Sequence, residues 1–207
     1  LRTIKVSWGG PVLLAGNGSP VLLWGNEPAR MVELARLRRN PVHLPDIDFP
    51  ARLEIAPDIA EALTRARDVL IAAPSSAFRS VVRAVIRHRP DDLRIAWGTK
   101  GLEPGQGRPL HELIGDECPG RRLPLAVISG PTFAAEVARG LPTAVTVATN
   151  DDGFAASLTH RLHNDYFRVY TSTDIVGVEI GGAVKNVLAI AAGIADGLGF
   201  GANTRAA

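Results

Sequence analysis

Cysteine is nearly absent. Cys118 stands alone among 207 residues, so no internal disulfide can form, and a reducing compartment is the natural setting. Lysine is almost as scarce: of 23 basic residues only Lys5, Lys100 and Lys185 are lysine, and the other 20 are arginine. A sustained basic block is also missing, because arginine alternates with aspartate and glutamate along most of the chain. With a formal charge of only +2 and no strip of aromatic and basic residues, nucleic acid is a poor partner. No metal is called for. Long apolar runs are missing too. The longest stretch of small apolar residues, 183–195, is interrupted by Lys185 and Asn186, which reads as too short and too polar for a membrane span. The first ten residues show no secretory leader. The expectation is a soluble, cytoplasmic protein without repeats or low-complexity tracts.

What is present is an alternation of short β-rich runs with amphipathic segments. Strands are expected at 21–24, 68–73, 93–97, 125–129, 144–148 and 167–170, with a short one at 53–55. Helices are expected at 29–38, 59–66, 77–87 and 154–162. Apolar strands alternating with helices argue for an α/β fold of the doubly wound, Rossmann-like kind, with a mainly parallel sheet covered on both faces. Ligands in such sheets gather at the carboxyl ends of strands. Residues 40–57 hold four prolines and read as a long surface connection. After Tyr170 the pattern changes. Ser172 and Thr173 are suited to cap a helix, and 175–197 contains no proline and many small residues. We therefore expect a dinucleotide-binding domain over 1–171 and, over 172–207, the first helix of an all-helical second domain that the chain does not complete.

Three segments carry chemistry. In Trp97-Gly-Thr-Lys-Gly-Leu-Glu103, Lys100 follows an apolar strand and precedes Gly101, which allows a tight turn; it either faces the ligand crevice or is a solvated loop lysine. In Val127-Ile-Ser-Gly-Pro-Thr-Phe-Ala134, Pro131 suits a first helical position, and the free N–H groups there, with the Thr132 hydroxyl, could hold an anion or a substrate hydroxyl; the plain alternative is a capped strand-to-helix turn. In Gly181-Gly-Ala-Val-Lys-Asn186, Gly181, Lys185, Ala189 and Ala192 share a helical face. Two glycines inside a helix each cost about 1 kcal/mol relative to alanine, so a close approach of ligand or backbone is expected there, unless Lys185 simply snorkels outward. Two of the three lysines thus fall at these sites. Lysine releases its proton when desolvated or set beside another cation, whereas arginine does not, and two neighbouring ammonium groups would suit proton exchange with an alcohol or ketone.

These motifs, with Gly140-Leu-Pro-Thr143 and Gly197-Leu-Gly-Phe-Gly-Ala-Asn203, occur in an order and spacing that closely resemble the bacterial NAD(P)-dependent glycerol-3-phosphate dehydrogenases. Val21-Leu-Leu-Trp-Gly25 and Ala73-Pro-Ser75 are weaker matches. The resemblance implies hydride transfer between NADPH or NADH and the middle carbon of dihydroxyacetone phosphate, giving sn-glycerol 3-phosphate for phospholipid synthesis. It implies that Lys185 exchanges the proton at the substrate oxygen and that Lys100 contacts both cofactor and substrate. Gly130 and Thr132 would line the substrate. Ser7, Trp8, Gly9, Asn26 and Ala134 would line the cofactor. Asn26 and nearby Arg30 stand where an acidic residue would favour NAD, which tilts the expectation towards NADPH. A homodimer is left open.

Two departures qualify the resemblance. Ile4-Lys-Val6 runs directly into Ser7-Trp-Gly9, so the first two glycines of the phosphate-binding turn are absent. Residues 12–23 then read as a shortened βαβ start, ahead of a hairpin around Asn17-Gly18. Nor does the sequence reach the aspartate and the Ser/Thr-Arg-Asn cluster that grip the substrate phosphate in the family. Two rivals follow: a non-catalytic, degenerate or fragmentary nucleotide-binding domain, and a dehydrogenase of similar architecture acting on a hydroxy acid or sugar acid.

Overall fold

The computed structural model describes residues 2–4, 9–88 and 91–206. Strand β1 (Arg2–Ile4) leads to helix α1 (Gly10–Gly16), strand β2 (Val21–Trp24) and helix α2 (Pro28–Leu37). A small hairpin follows, β3 (Arg39–Asn40) against β4 (Leu44–Asp48), and then β5 (Leu53–Ile55), α3 (Ile59–Thr64), β6 (Asp68–Ile71) and α4 (Ser75–His88). The chain continues through β7 (Arg94–Trp97), α5 (Leu110–Glu117), β8 (Leu125–Ser129), α6 (Ala134–Ala138), β9 (Thr143–Thr149), α7 (Asp152–Leu162) and β10 (Phe167–Ser172). Helix α8 (Ile175–Gly197) and a short α9 (Ala202–Ala206) follow.

Eight strands form one sheet in the order β10-β9-β8-β7-β6-β1-β2-β5. Every neighbouring pair runs parallel except β8 with β9. From β1 the order proceeds one way through β2 and β5 and the other way through β6, β7 and β8. That reversal is the doubly wound arrangement expected from the sequence, and it opens a crevice at the carboxyl ends of β1 and β6.

The strands read as unbroken apolar runs because both faces are covered. Successive residues point to opposite faces: Leu70, Ala96, Ala126 and Ile128 join one core with α1, α2, α6 and α7. Val69, Ile71, Ile95, Trp97 and Val127 join the other with α3, α4 and α5. Each such fully buried aliphatic side chain stabilises the fold by about 1.5–3 kcal/mol.

Four local features differ from expectation. The proline-rich 40–57 segment contains the β3–β4 hairpin and β5; Pro45 is tolerated in β4 because that two-stranded ribbon is all edge. The cap of α8 is Asp174, whose carboxylate accepts from Gly177 N–H at 2.8 Å, while Ser172 Oγ instead accepts from Asp174 N–H at 3.1 Å. Pro131 is not a first helical residue, since α6 begins three residues later and is only five residues long. Finally, α8 spans 23 residues with a mean hydropathy of 1.6 in its most apolar window, so by length and composition alone it could cross a membrane. The 183–195 stretch understated it. Its first turns nevertheless pack on the sheet, with Ile175 and Val178 against the second core.

The start of the chain follows the shortened βαβ reading. Between β1 and β2, which are parallel, lies α1 and not a hairpin.

Candidate functional site

Three strand ends meet at the crevice. Ala72, Ala73 and Pro74 beyond β6, Gly98, Thr99 and Lys100 beyond β7, and Thr132 beyond β8 line a cavity of about 250 Å³. The buried Thr99 hydroxyl donates to Ala73 O at 2.8 Å, which ties the two strand ends together. Past Lys100 the backbone turns through Gly101 at φ +105°, a conformation open to glycine and strained for other residues. Arg79 on α4 then reaches Glu103 at 2.9 Å and Glu117 at 2.9 Å, fixing the far side of the loop. Lys100 is therefore held between anchored segments and is not a free loop lysine.

Its ammonium donates to Ser129 Oγ at 3.0 Å. Burial, and secondarily the charge of Lys185, lower its pKa from the ordinary 10.5 to about 8. This is the depression expected of two neighbouring ammonium groups, with desolvation contributing most. Lys185 comes from α8 and is exposed, its Nζ 6.0 Å from the Phe133 ring centroid. The two lysines expected to cooperate are thus brought to one place. Gly182 makes the approach possible. A β-carbon there would stand 2.8 Å from Ser129 Oγ and 3.6 Å from Lys100 Cδ. Gly181 meets nothing within 4 Å, so the close approach falls one residue beyond the face expected.

Gly9 and Ala134 also come together, because a β-carbon on Gly9 would lie 2.6 Å from Ala134 O. Ser7 and Trp8 lie outside the described residues. Asn26 is some way along the carboxyl edge, in a small bay of about 40 Å³ beyond β2, with Gly25, Glu27, Arg30, Met31 and Asn40. Arg30 donates to Asn40 Oδ1 there at 3.4 Å. Gly130 serves packing: a side chain would stand 2.5 Å from Ala144 O on β9. Thr132 lines the crevice as expected, without a helix start behind it.

A larger opening, about 500 Å³, lies at the opposite, amino edge of the sheet around Asp68, Arg94 and Arg161. Its charges already neutralise one another. Asp68 is shared by Arg94 at 2.6 Å and Arg161 at 3.1 Å, and Arg65 pairs with Glu54 at 3.0 Å. Size alone does not make it the site; the crevice holding Lys100 has the unpaired, desolvated group.

The sequence reading missed two participants. Ser129 was visible only as the last residue of a strand. Glu179, buried in α8, could have been noticed as a lone carboxylate in an otherwise small and apolar helix.

Two family models match the chain: the NAD-dependent glycerol-3-phosphate dehydrogenase N-terminus over residues 7–155 and the NAD-dependent glycerol-3-phosphate dehydrogenase C-terminus over 174–207. The chain belongs to the NAD-dependent glycerol-3-phosphate dehydrogenase family. A relative from Nitrosococcus oceani, a glycerol-3-phosphate dehydrogenase [NAD(P)+], is 52% identical over 212 residues, covering 100% of this chain and 61% of that protein. The crystal structure of glycerol-3-phosphate dehydrogenase from Coxiella burnetii superposes with a TM-score of 0.91 at 43% identity, over 99% of this chain and 63% of that one. The Saccharomyces cerevisiae enzyme aligns at a TM-score of 0.83 and 26% identity, over 99% of this chain and 65% of that one. The chain thus spans about 60% of the length of the curated relatives it matches. The second family match begins at Asp174, the residue that caps α8.

Proposed function

We propose that residues 1–171 form the dinucleotide-binding domain, and residues 172–207 the opening of a helical substrate domain, of a glycerol-3-phosphate dehydrogenase. The reaction would move a hydride between NADPH or NADH and the middle carbon of dihydroxyacetone phosphate, with sn-glycerol 3-phosphate as the reduced product. One observation carries this reading: Lys100, its pKa lowered to about 8 by burial and by Lys185, sits at the crevice where three strands end.

The residues present suit a dinucleotide at both ends of the carboxyl edge. The bay around Asn26 and Arg30 suits the adenosine ribose, with Arg30 available to a 2′-phosphate; Glu27 on the same rim opposes it. The crevice of Ala72 to Pro74 and Thr99 suits the nicotinamide end. When bound, the cofactor supplies or accepts the hydride. The chain's own part is charge and proton handling. Lys185, exposed and mobile enough to reach a substrate oxygen, exchanges the proton there. Lys100 contacts substrate and cofactor and, with a pKa near 8, is predominantly protonated at pH 7, as stabilising a developing alkoxide requires. Ser129 orients Lys100 by accepting one of its protons. Thr132 offers a hydroxyl to the substrate, Gly130 lets the strand end lie close to β9, and Ser7, Trp8, Gly9 and Ala134 approach the cofactor phosphates. The proposed setting is cytoplasmic, and a homodimer is the assembly to test by sedimentation.

The deciding experiment is titration with NADPH and then NADH, followed by turnover with dihydroxyacetone phosphate. Saturable binding, with Lys100→Met reducing turnover by about 10²–10⁴-fold, is expected. Absence of binding by either nucleotide would move the chain to the non-catalytic reading, which the missing glycines before Ser7 favour.

A further inference from the structure

Helix α8 docks through its first two turns and then runs free. Ile175 and Val178 pack on the second core, Glu179 and Gly182 are buried, and beyond them Val184, Val187, Leu188 and Ile190 are exposed. Within the docked face sits one carboxylate. Glu179 Oε1 accepts from the backbone N–H of Leu110 at 2.6 Å, and its Oε2 lies 2.6 Å from His111 Nδ1. Both partners belong to the first turn of α5, whose Leu110 is itself fully buried in that core.

A buried carboxylate is unfavourable unless its oxygens find donors, and an apolar side chain would pack here without that requirement. What the carboxylate adds is direction: only one rotation of α8 about its axis gives both oxygens their partners. Lys185 follows six residues later, about 9 Å along the helix, and two turns beyond Val178 on nearly the same face. Between them, bare Gly182 lies against Ser129 and Lys100. A change in the tilt or rotation of the docked turns therefore moves Lys185 and uncovers Lys100 together.

We propose that Glu179 is a positioning residue, whose grip on Leu110 and His111 sets α8 so that Lys185 stands over the Lys100–Ser129 pair. The inference rests on the reading of those lysines as the working pair, but its test does not require turnover.

With only three lysines in the chain, reductive methylation with carbon-13 gives three side-chain resonances that Lys→Arg variants can assign, and each can be titrated by NMR. Glu179→Ala should raise the Lys100 midpoint from about 8 towards 10.5, by about one unit or more, because burial and the charge of Lys185 are lost together. Glu179→Gln keeps an acceptor for the Leu110 N–H and should restore a midpoint near that of the parent chain. His111→Ala removes one of the two partners and should shift Lys100 in the same direction by less. Resonances of the sheet core, unchanged in each variant, separate repositioning from unfolding. A Lys100 midpoint that stays near 8 in a folded Glu179→Ala chain overturns the proposal; should that variant not fold, an unshifted His111→Ala chain does so. Loss of nucleotide binding with the Lys100 shift intact would remove the proposed function and leave the positioning role standing.

Discussion

The sheet and helix α8 are both rich in apolar residues and use them in opposite ways. In the sheet, Leu70, Ile71, Ile95 and Trp97 are entirely buried, and the charged Asp68 beneath them is shared by two arginines. Along α8, Val187, Leu188 and Ile190 are each more than 60% exposed. The difference shows that an apolar pattern marks a face needing a partner, and that only strands covered on both sides have found theirs. The sheet region is stabilised by its own contacts. The position of α8 depends on two turns of packing and on Glu179. The proposed chemistry lies on the seam between these regions, where Gly182 and Lys100 meet.

The sharpest way to break the self-sufficient side is Asp68→Ala. It would strand Arg94, whose guanidinium lies 2.6 Å from Asp68 and 4.7 Å from the Phe154 ring, as an uncompensated, largely buried charge. Removing one partner of such a pair costs roughly 3–5 kcal/mol, to be read by urea unfolding. The pH dependence has a definite sign. Burial raises the Asp68 pKa, but Arg94 and Arg161 outweigh it, so the folded value lies below the ordinary 3.8. Its contribution is therefore complete above about pH 4 and is lost as pH falls through the folded value. The variant should be less sensitive to acid in that range than the parent chain.

The next largest effect falls on the seam. A β-carbon at position 182 would stand 2.8 Å from Ser129 Oγ. Gly182→Val must push α8 outward, at about 1–3 kcal/mol for an overpacked contact. Gly182→Ala should cost less, because the Ser129 hydroxyl is able to rotate away. Either variant should raise the Lys100 midpoint, as read by the same lysine NMR titration. A valine variant that leaves both stability and the Lys100 titration unchanged would mean that the two regions do not touch there in solution.

Much of this architecture was legible beforehand, for reasons that differ by element. The runs at 21–24 and 125–129 are buried on both faces, so their hydrophobicity spoke plainly, and α8 kept the bounds its lack of proline implied. The β3–β4 hairpin was hidden because prolines mask a ribbon that makes few ladder bonds. Gly130 was chosen for the right segment, yet its cause is the carbonyl of Ala144 on β9, a contact between strands that no local pattern encodes. Lys100 stood out because arginine fills almost every other basic position. Its hydrogen bond to Ser129, 29 positions away, and that of Glu179 to Leu110, 69 positions away, are set by topology. They become visible only when the sheet order is known.

Lys100→Met offers a gentler test of the seam. Because burial and Lys185 lower the folded pKa to about 8 from 10.5, the charged form opposes folding. For this group stability is lowest and flat below about pH 8, rises between about pH 8 and 10.5, and is complete above that. The methionine variant should be somewhat more stable at pH 7 and should lose that rise, as thermal unfolding across this pH range would reveal. A variant that keeps the same rise would place the titrating group elsewhere.

The smallest effect is expected on the exposed side of α8. Leu188→Gln should change unfolding free energy by no more than about 0.5 kcal/mol, since the side chain is 63% exposed. Leu70→Ala, at a fully buried site, should cost about 2–5 kcal/mol. Equality of the two would undo the comparison, because it would mean that the apolar face of α8 is covered in solution. Sedimentation at the concentrations used for unfolding then identifies the cover. A dimer that Leu188→Gln dissociates would show a second copy on that face, and a monomer throughout would show the helix folding back against its own sheet. With the expected inequality, the apolar face remains open to whatever the longer relatives supply, and the placement of Lys185 rests on the docked turns alone.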